Sequence, residues 1–308
     1  METLKIAVIT HMYPSGASHA GAFVQARVEM YLRMGHEVDV FAPGRRQPPG
    51  GTNYDAGAAH YPLPEYVIPV ARRFLPKVPM VAYLHGSEAI GRGAKDLHPY
   101  RIKTRWLLRR FVRDCKASVT ESNWMQQQVL SYLGVRPLVI PNPVDPSIFP
   151  LMVHSTRNGL CLRGKEWKYG SDLVAVLAPS LVRKQIVVDN VDPVFNRSEL
   201  PALLGRYGFF VMPSRLEGQG LMACEAAATG MPVVATRVGG IPEFIVDDES
   251  VLVPPSNAAE LERAIVSVWT RLPLDESRRA AIRTSILAKC GPEETVGRDI
   301  ELFRSLTR

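Results

Sequence analysis

Residues 213–243 read PSRLEGQGLMACEAAATGMPVVATRVGGIPE, and the fold class follows from this stretch. The apolar run Phe209–Met212 just before it reads as a buried strand whose carboxyl end opens into a loop at Pro213 and Ser214. Glu217, Gly218 and Gly220 lie in that loop. From Leu221 to Thr229 small and straight-chain residues favour a helix, which Gly230 and Pro232 stop. Val233–Thr236 then reads as a second strand. Strand, glycine loop, helix, strand is a βαβ unit, and in open α/β sheets a ligand sits beyond the carboxyl ends of the strands. The 214–220 loop is therefore expected to meet a ligand.

The chemistry of the loop suits a sugar diphosphate. Gly218 and Gly220 let backbone N–H groups come close, while the helix start at Leu221 and Met222 offers unpaired N–H groups and a positive dipole end to an anion. Glu217 and Glu225 can each accept hydrogen bonds from paired hydroxyls, the first on a sugar and the second on a ribose. Spacing alone leaves a plainer role open for Glu225, as a cap or as the partner of a nearby arginine.

The stretch as a whole resembles the E-x7-E signature of glycosyltransferase family 4, whose members are retaining enzymes of the GT-B fold. The matching positions include Pro213, Ser214, Glu217, Gly218, Gly220, Leu221, Glu225, Gly230, Pro232–Ala235, Gly239, Gly240, Pro242 and Glu243. The resemblance implies an α/β chain of two Rossmann-like domains facing each other across a cleft that holds the active site. It also implies transfer of a sugar from a nucleoside diphosphate sugar to an acceptor hydroxyl of a glycan, lipid-linked or small molecule, with no metal or other cofactor. Gln219 stands where relatives often carry Phe, Tyr or Pro, so it is expected to bear on which sugar hydroxyls are read.

A length of 308 residues suits two domains. We expect an acceptor-binding domain over 1–150, a nucleotide-sugar domain over 151–285, and a last helix within 286–308 that packs back on the first domain. Cys115, Cys161, Cys224 and Cys290 show no paired spacing, which points to a reducing cytoplasm. The apolar run Ile6–Ile9 is too short for a signal peptide, and no stretch approaches the roughly 20 apolar residues that span a bilayer. The net charge of +7 is uneven, because residues 1–150 carry 18 Lys and Arg against 11 Asp and Glu while 151–308 carry 19 of each.

The first half opens with a strand over Lys5–Thr10, a loop of small residues, a helix from about Ala22 to Met34 and a second strand at Glu37–Ala42. Its glycines do not form G-x-G-x-x-G, which argues against a dinucleotide oxidoreductase. In the resembling family a glycine of this loop approaches the donor, and Gly21 is the counterpart; an ordinary turn glycine is the plainer reading. Pro79–Leu84 reads as a strand ending in His85-Gly86-Ser87-Glu88. His85 resembles the histidine of the family's HG(S/T) motif, which implies contact with the donor sugar; a histidine that only orients a loop is the alternative. No Asp-x-Asp occurs, so a divalent metal is not implied.

Arg92–Lys116 mixes nine cations with Trp106, Leu107, Leu108, Phe111 and Val112, the pattern of a basic amphipathic helix. Such helices attract anionic membrane surfaces, whereas a solvated helix face is the plainer reading. No nucleic-acid motif accompanies the charge. Members of the resembling family often take acceptors anchored in the cytoplasmic membrane, so the resemblance implies a cytoplasmic protein with a peripheral position on the inner face of the membrane. The second half opens with Leu160–Arg163 and then Lys168, a strand-end arginine and a loop lysine that can clamp a diphosphate. They resemble the family's GRLxxxKG pair, with Leu162 in place of the glycine and Tyr169 inserted. Gln185–Val188 reads as a further strand, and relatives usually carry one more helix and strand in this region. That shortening keeps a second reading open, a catalytically silent carbohydrate-binding protein on the same fold.

Overall fold

The computed structural model describes residues 2–14, 21–44, 53–74, 77–86, 88–91, 98–162, 164–191 and 197–307. The chain divides into two units, one of Met1–Pro143 with Pro292–Arg308 and one of Val144–Gly291.

The first unit contains β1 (Lys5–Thr10), α1 (Ala22–Arg33), β2 (Glu37–Phe41), β3 (Ala56–His60), α2 (Val67–Ala71), β4 (Met80–Leu84), α3 (Pro99–Asp114), β5 (Ala117–Thr120), α4 (Asn123–Leu133) and β6 (Leu138–Val139). Its strands pair in parallel in the order β2-β1-β3-β4-β5-β6. The inner strands β1, β3 and β4, covered on both faces, are mostly apolar, whereas the edge strand β2 is partly exposed and carries Glu37 and Asp39. Ile6 and Val8 point into one core with Val24, Val28 and Tyr31 of α1, while Ala7 and Ile9 point into the other with Leu108, Phe111 and Val129.

The second unit contains β7 (Gly159–Cys161), α5 (Ser171–Arg183), β8 (Val188–Asn190), α6 (Leu200–Leu204), β9 (Phe209–Met212), α7 (Leu221–Ala228), β10 (Val233–Thr236), α8 (Ile241–Phe244), β11 (Val251–Val253), α9 (Ala258–Thr270) and α10 (Glu276–Cys290). Its parallel sheet runs β11-β10-β9-β7-β8. The helix ends follow their caps: Ser122 accepts from the Met125 N–H at the start of α4, Asn257 does the same for Glu260 in α9, and Asp275 for Arg278 in α10.

The last helix, α11 (Arg298–Thr307), is part of the first unit and follows a wide turn over Glu293–Gly297. Ile300 and Phe303 enter the same core as α1. Asp299 is fully buried, paired with Arg27 and accepting from Tyr31 Oη at 2.7 Å and Tyr83 Oη at 2.8 Å. Arg27 Nη2 also donates to the carbonyls of Ile140 (3.2 Å) and Pro141 (2.7 Å), while its buried Nε has no partner among the described residues. A buried ion pair needs such extra hydrogen bonds to offset its lost hydration.

The unit junctions differ from the expected 150 and 285. Val144 donates to the Cys290 carbonyl at 2.8 Å, and Arg283 of α10 donates to the carbonyls of Pro146 and Phe149, so 144–150 is bound into the second unit. Ile286 and Cys290 lie in that unit's core, which keeps α10 there to its end. The strand expected over Gln185–Val188 begins instead at Val188, because Gln185 takes a left-handed φ of 61° while closing α5. The basic helix spans Pro99–Asp114; Lys116 lies beyond it and donates its N–H to the Met80 carbonyl at 2.8 Å, and residues 92–97 lie outside the described residues.

Candidate functional site

The two sheets share one topology. In each unit the first strand lies inside, between the second and the third: β2-β1-β3 in one and β8-β7-β9 in the other. Chain direction across the sheet reverses at that point, and the carboxyl ends of the flanking strands frame the crevice where α/β sheets hold ligands. In the second unit those strands are β7 and β9, and the loops after them carry Lys168 and Glu217.

The loop after β9 is held from below. Ser214 is buried and its Oγ donates to Glu217 Oε1 at 3.0 Å. Gly240 donates to the Gly218 carbonyl at 3.0 Å, and a Cβ on Gly239 would stand 1.6 Å from the Glu217 carbonyl oxygen. Gly239 is thus needed for backbone to pass directly against backbone. Gly220 adopts φ 82° as the cap residue of α7, and Ala223 and Cys224 return their N–H groups to its carbonyl. Leu221 and Met222 supply the first-turn N–H groups that a helix leaves without an internal acceptor. With the dipole of α7 behind them, these groups lie at the carboxyl end of β9, a chemistry able to receive an anion.

The loop after β7 is fastened to this one by Arg215, a residue for which the sequence gives no motif. Its N–H donates to the Lys168 carbonyl at 2.7 Å, and Nη1 donates to the Trp167 carbonyl at 2.7 Å. Nη1 and Nη2 also grip Asp172 as a fork, at 2.8 and 2.7 Å. That hydrogen bonding holds the Asp172 carboxyl below its usual range. Gly170, with φ 69°, brings its α-carbon so near that a Cβ would meet the Pro213 carbonyl oxygen at 1.9 Å. Lys168 Nζ lies 3.1 Å from Glu166 Oε2; burial opposes its charge most strongly, but Glu166 and Tyr169 together overcome this and raise its pKa. Arg163 lies outside the described residues.

Two of the expected contacts change. Gln219 is 4% exposed and its Nε2 lies 3.5 Å from Cys290 Sγ, so its side chain turns into the core instead of toward sugar hydroxyls. What Gln219 offers a ligand is backbone. Glu225, in the second turn of α7, is 0% exposed.

A second cluster stands at the carboxyl ends of β3, β4 and β5 in the first unit. His60 Nδ1 and His85 Nε2 are 2.9 Å apart, one ring donating and the other accepting. Burial keeps both imidazoles neutral, with Arg27 adding to the effect. Glu88 accepts the His85 N–H at 2.6 Å, and Glu121 Oε2 lies 3.9 Å from His85 Nδ1 and 3.1 Å from Thr120 Oγ. Burial pushes the Glu88 carboxyl up to about 7 and Glu121 to about 8. Gly21 closes the cluster: with φ 78° its α-carbon abuts the Met12 carbonyl, and Phe23, two residues on, lays its ring 4.7 Å from that of His85. His60, Glu88 and Glu121 join this cluster without being site residues in the sequence reading, although His60 carries the same signal as His85, a histidine at a strand's carboxyl end. Among the described residues no group of three or more His, Cys, Asp or Glu is placed to hold a metal ion.

Comparison with known proteins fits this geometry. The family described as "Glycosyltransferase Family 4" matches residues 50–148, and "Glycosyl transferases group 1" matches residues 164–271. This chain belongs to glycosyltransferase family 4. Glycogen synthase of Mycobacterium tuberculosis is 30% identical to the family 4 chain over 244 residues, which are 66% of the chain and 57% of that relative. The chain spans about three fifths of the length of the curated relatives that it matches first. Two solved structures share the fold. Sucrose-phosphate synthase from Thermosynechococcus elongatus has a TM-score of 0.75 at 14% identity, with 99% of both chains covered. The catalytic domain of starch synthase IV from Arabidopsis thaliana, bound to ADP and acarbose, has a TM-score of 0.70 at 12% identity, with 100% of both covered. The family 4 chain therefore has the GT-B fold, with two parallel-sheet α/β domains.

Proposed function

We propose that the chain transfers a sugar from a nucleoside diphosphate sugar to an acceptor hydroxyl with retention of anomeric configuration, and that the second unit holds the donor. The observation that carries this is the pair of fastened loops after β7 and β9, which set Lys168 and the α7 N-terminus at one topological switch point. ADP in the starch synthase structure supports a nucleoside diphosphate as the ligand.

In this reading the diphosphate lies against the N–H groups of Leu221 and Met222, with Lys168 and Arg163 drawing off the charge that develops as the glycosidic bond breaks. Fixed dipoles aimed at developing charge are the strongest lever an enzyme has, because they need no reorganisation during the reaction. Glu217, steadied by Ser214, accepts from hydroxyls of the transferred sugar. His85 is a neutral imidazole, suited to hydrogen bonding with hydroxyls and unsuited to delivering a proton. The departing phosphate then takes the acceptor proton on the face from which it leaves, without a metal.

Thermal stabilisation by UDP, GDP, ADP and their hexose conjugates tests the reading, in wild type and Lys168→Ala. A ligand that binds only the native state raises its melting temperature. One nucleotide should shift the wild type and shift the variant less. No shift across the panel would favour a catalytically silent protein on this fold.

A further inference from the structure

We infer that the outer face of α3 docks on an anionic lipid bilayer, an interaction that does not depend on the reaction proposed above. The helix carries six cations in its 16 residues, with Asp114 as its one acid. Leu108, Phe111 and Val112 point inward and are buried. Two of the cations also turn toward α4: the Arg105 guanidinium stacks 4.7 Å from the Tyr132 ring, and Arg109 lies against Gly134.

The opposite face has no such cover. Ile102 and Trp106, four residues apart and so one above the other, are 53% and 57% exposed. Exposed Lys103, Arg110 and Arg113 flank them, Arg110 lying 5.7 Å from the Trp106 ring. A face of this kind has two needs at once, apolar burial along its centre and anions along its sides. Nucleic acid phosphates would meet the cations but leave Ile102 and Trp106 in water. An anionic bilayer meets both, taking the indole and the isoleucine to the depth of the headgroups while the long cationic side chains reach lipid phosphates. The charge of the chain agrees, since its whole excess of +7 arises within residues 1–150.

Co-sedimentation with vesicles of phosphatidylcholine, alone or mixed with phosphatidylglycerol, tests the inference. The wild type is expected to pellet with the anionic vesicles, to ignore the neutral ones and to be released by salt. The joint variant Lys103→Ala, Arg110→Ala and Arg113→Ala should lose about a hundredfold in partition, at about fivefold per cation. Trp106→Ala should lose several-fold on its own. All four positions are exposed, so the variants should melt as the wild type does. Equal binding to neutral vesicles, or a triple variant that binds like wild type, would overturn the inference. So would a wild type that ignores both vesicles and is retarded by duplex DNA.

Discussion

Arg215 fastens one ligand loop to the other, with its backbone on Lys168 and its guanidinium on Trp167 and Asp172. Truncation to Arg215→Ala should free the Lys168 loop and weaken nucleoside diphosphate binding by on the order of tenfold, because misplacing one charge by about 1 Å is costly at a site that works by position. Arg215→Lys keeps the charge without the fork and should not restore affinity. If calorimetric titration finds both variants binding like wild type, the two loops are set by something else. Nothing in the sequence announces this residue, since it and Asp172 are 43 positions apart and meet only through the order of β7 and β9. Gln219 teaches the same lesson in reverse. It lies within the signature, yet the partner that turns its side chain inward, Cys290, comes from 71 residues further along.

At the scale of elements, the turn after β10 is packed against the turn after β9 with no room for a side chain. Gly239→Ala would drive a methyl into the Glu217 carbonyl and should cost about 2–3 kcal/mol in chemical denaturation, together with loss of nucleotide binding. Gly44, at φ 75° with open space around it, provides the control: Gly44→Ala strains the backbone without a collision and should cost about 1 kcal/mol. Equal costs would show that the close approach is not what Gly239 provides. Such elements were the most legible part of the chain. Strands buried on both faces appear as apolar runs, and β1, β9 and β10 occupy the residues read for them. Short elements escaped. Val67–Ala71 and Ile241–Phe244 span about one helical turn each, too little for a 3.6-residue period to register.

For the molecule as a whole, the cluster behind His85 shapes the dependence of stability on pH. Glu88 and Glu121 hold protons in the fold up to about 7 and about 8, against 4.5 in the unfolded chain. His60 and His85 stay unprotonated in the fold, although the unfolded chain protonates them below 6.5. Between 4.5 and 6.5 the folded state gains two carboxyl protons and forgoes two imidazole protons, so the slopes oppose one another. Above 6.5 only the carboxyl contribution remains. Stability should therefore fall as pH rises from about 6.5 to about 8, and the joint variant Glu88→Gln and Glu121→Gln should flatten that fall in melting curves taken across the range. A decline that the double variant retains would assign it to other groups.

The pairing of Arg27 with Asp299 joins residues 272 positions apart inside one unit. On the ribosome, a chain grows from its amino end and its domains fold as they emerge. The sheet made first would here stand with Arg27, Tyr31 and Tyr83 facing an absent partner until α11 appears, after the entire second unit has been made. Its own last piece must arrive before that buried charge is neutralised, so the domain begun first is the one finished last, and a nascent chain halted anywhere before Asp299 is a natural client for a chaperone.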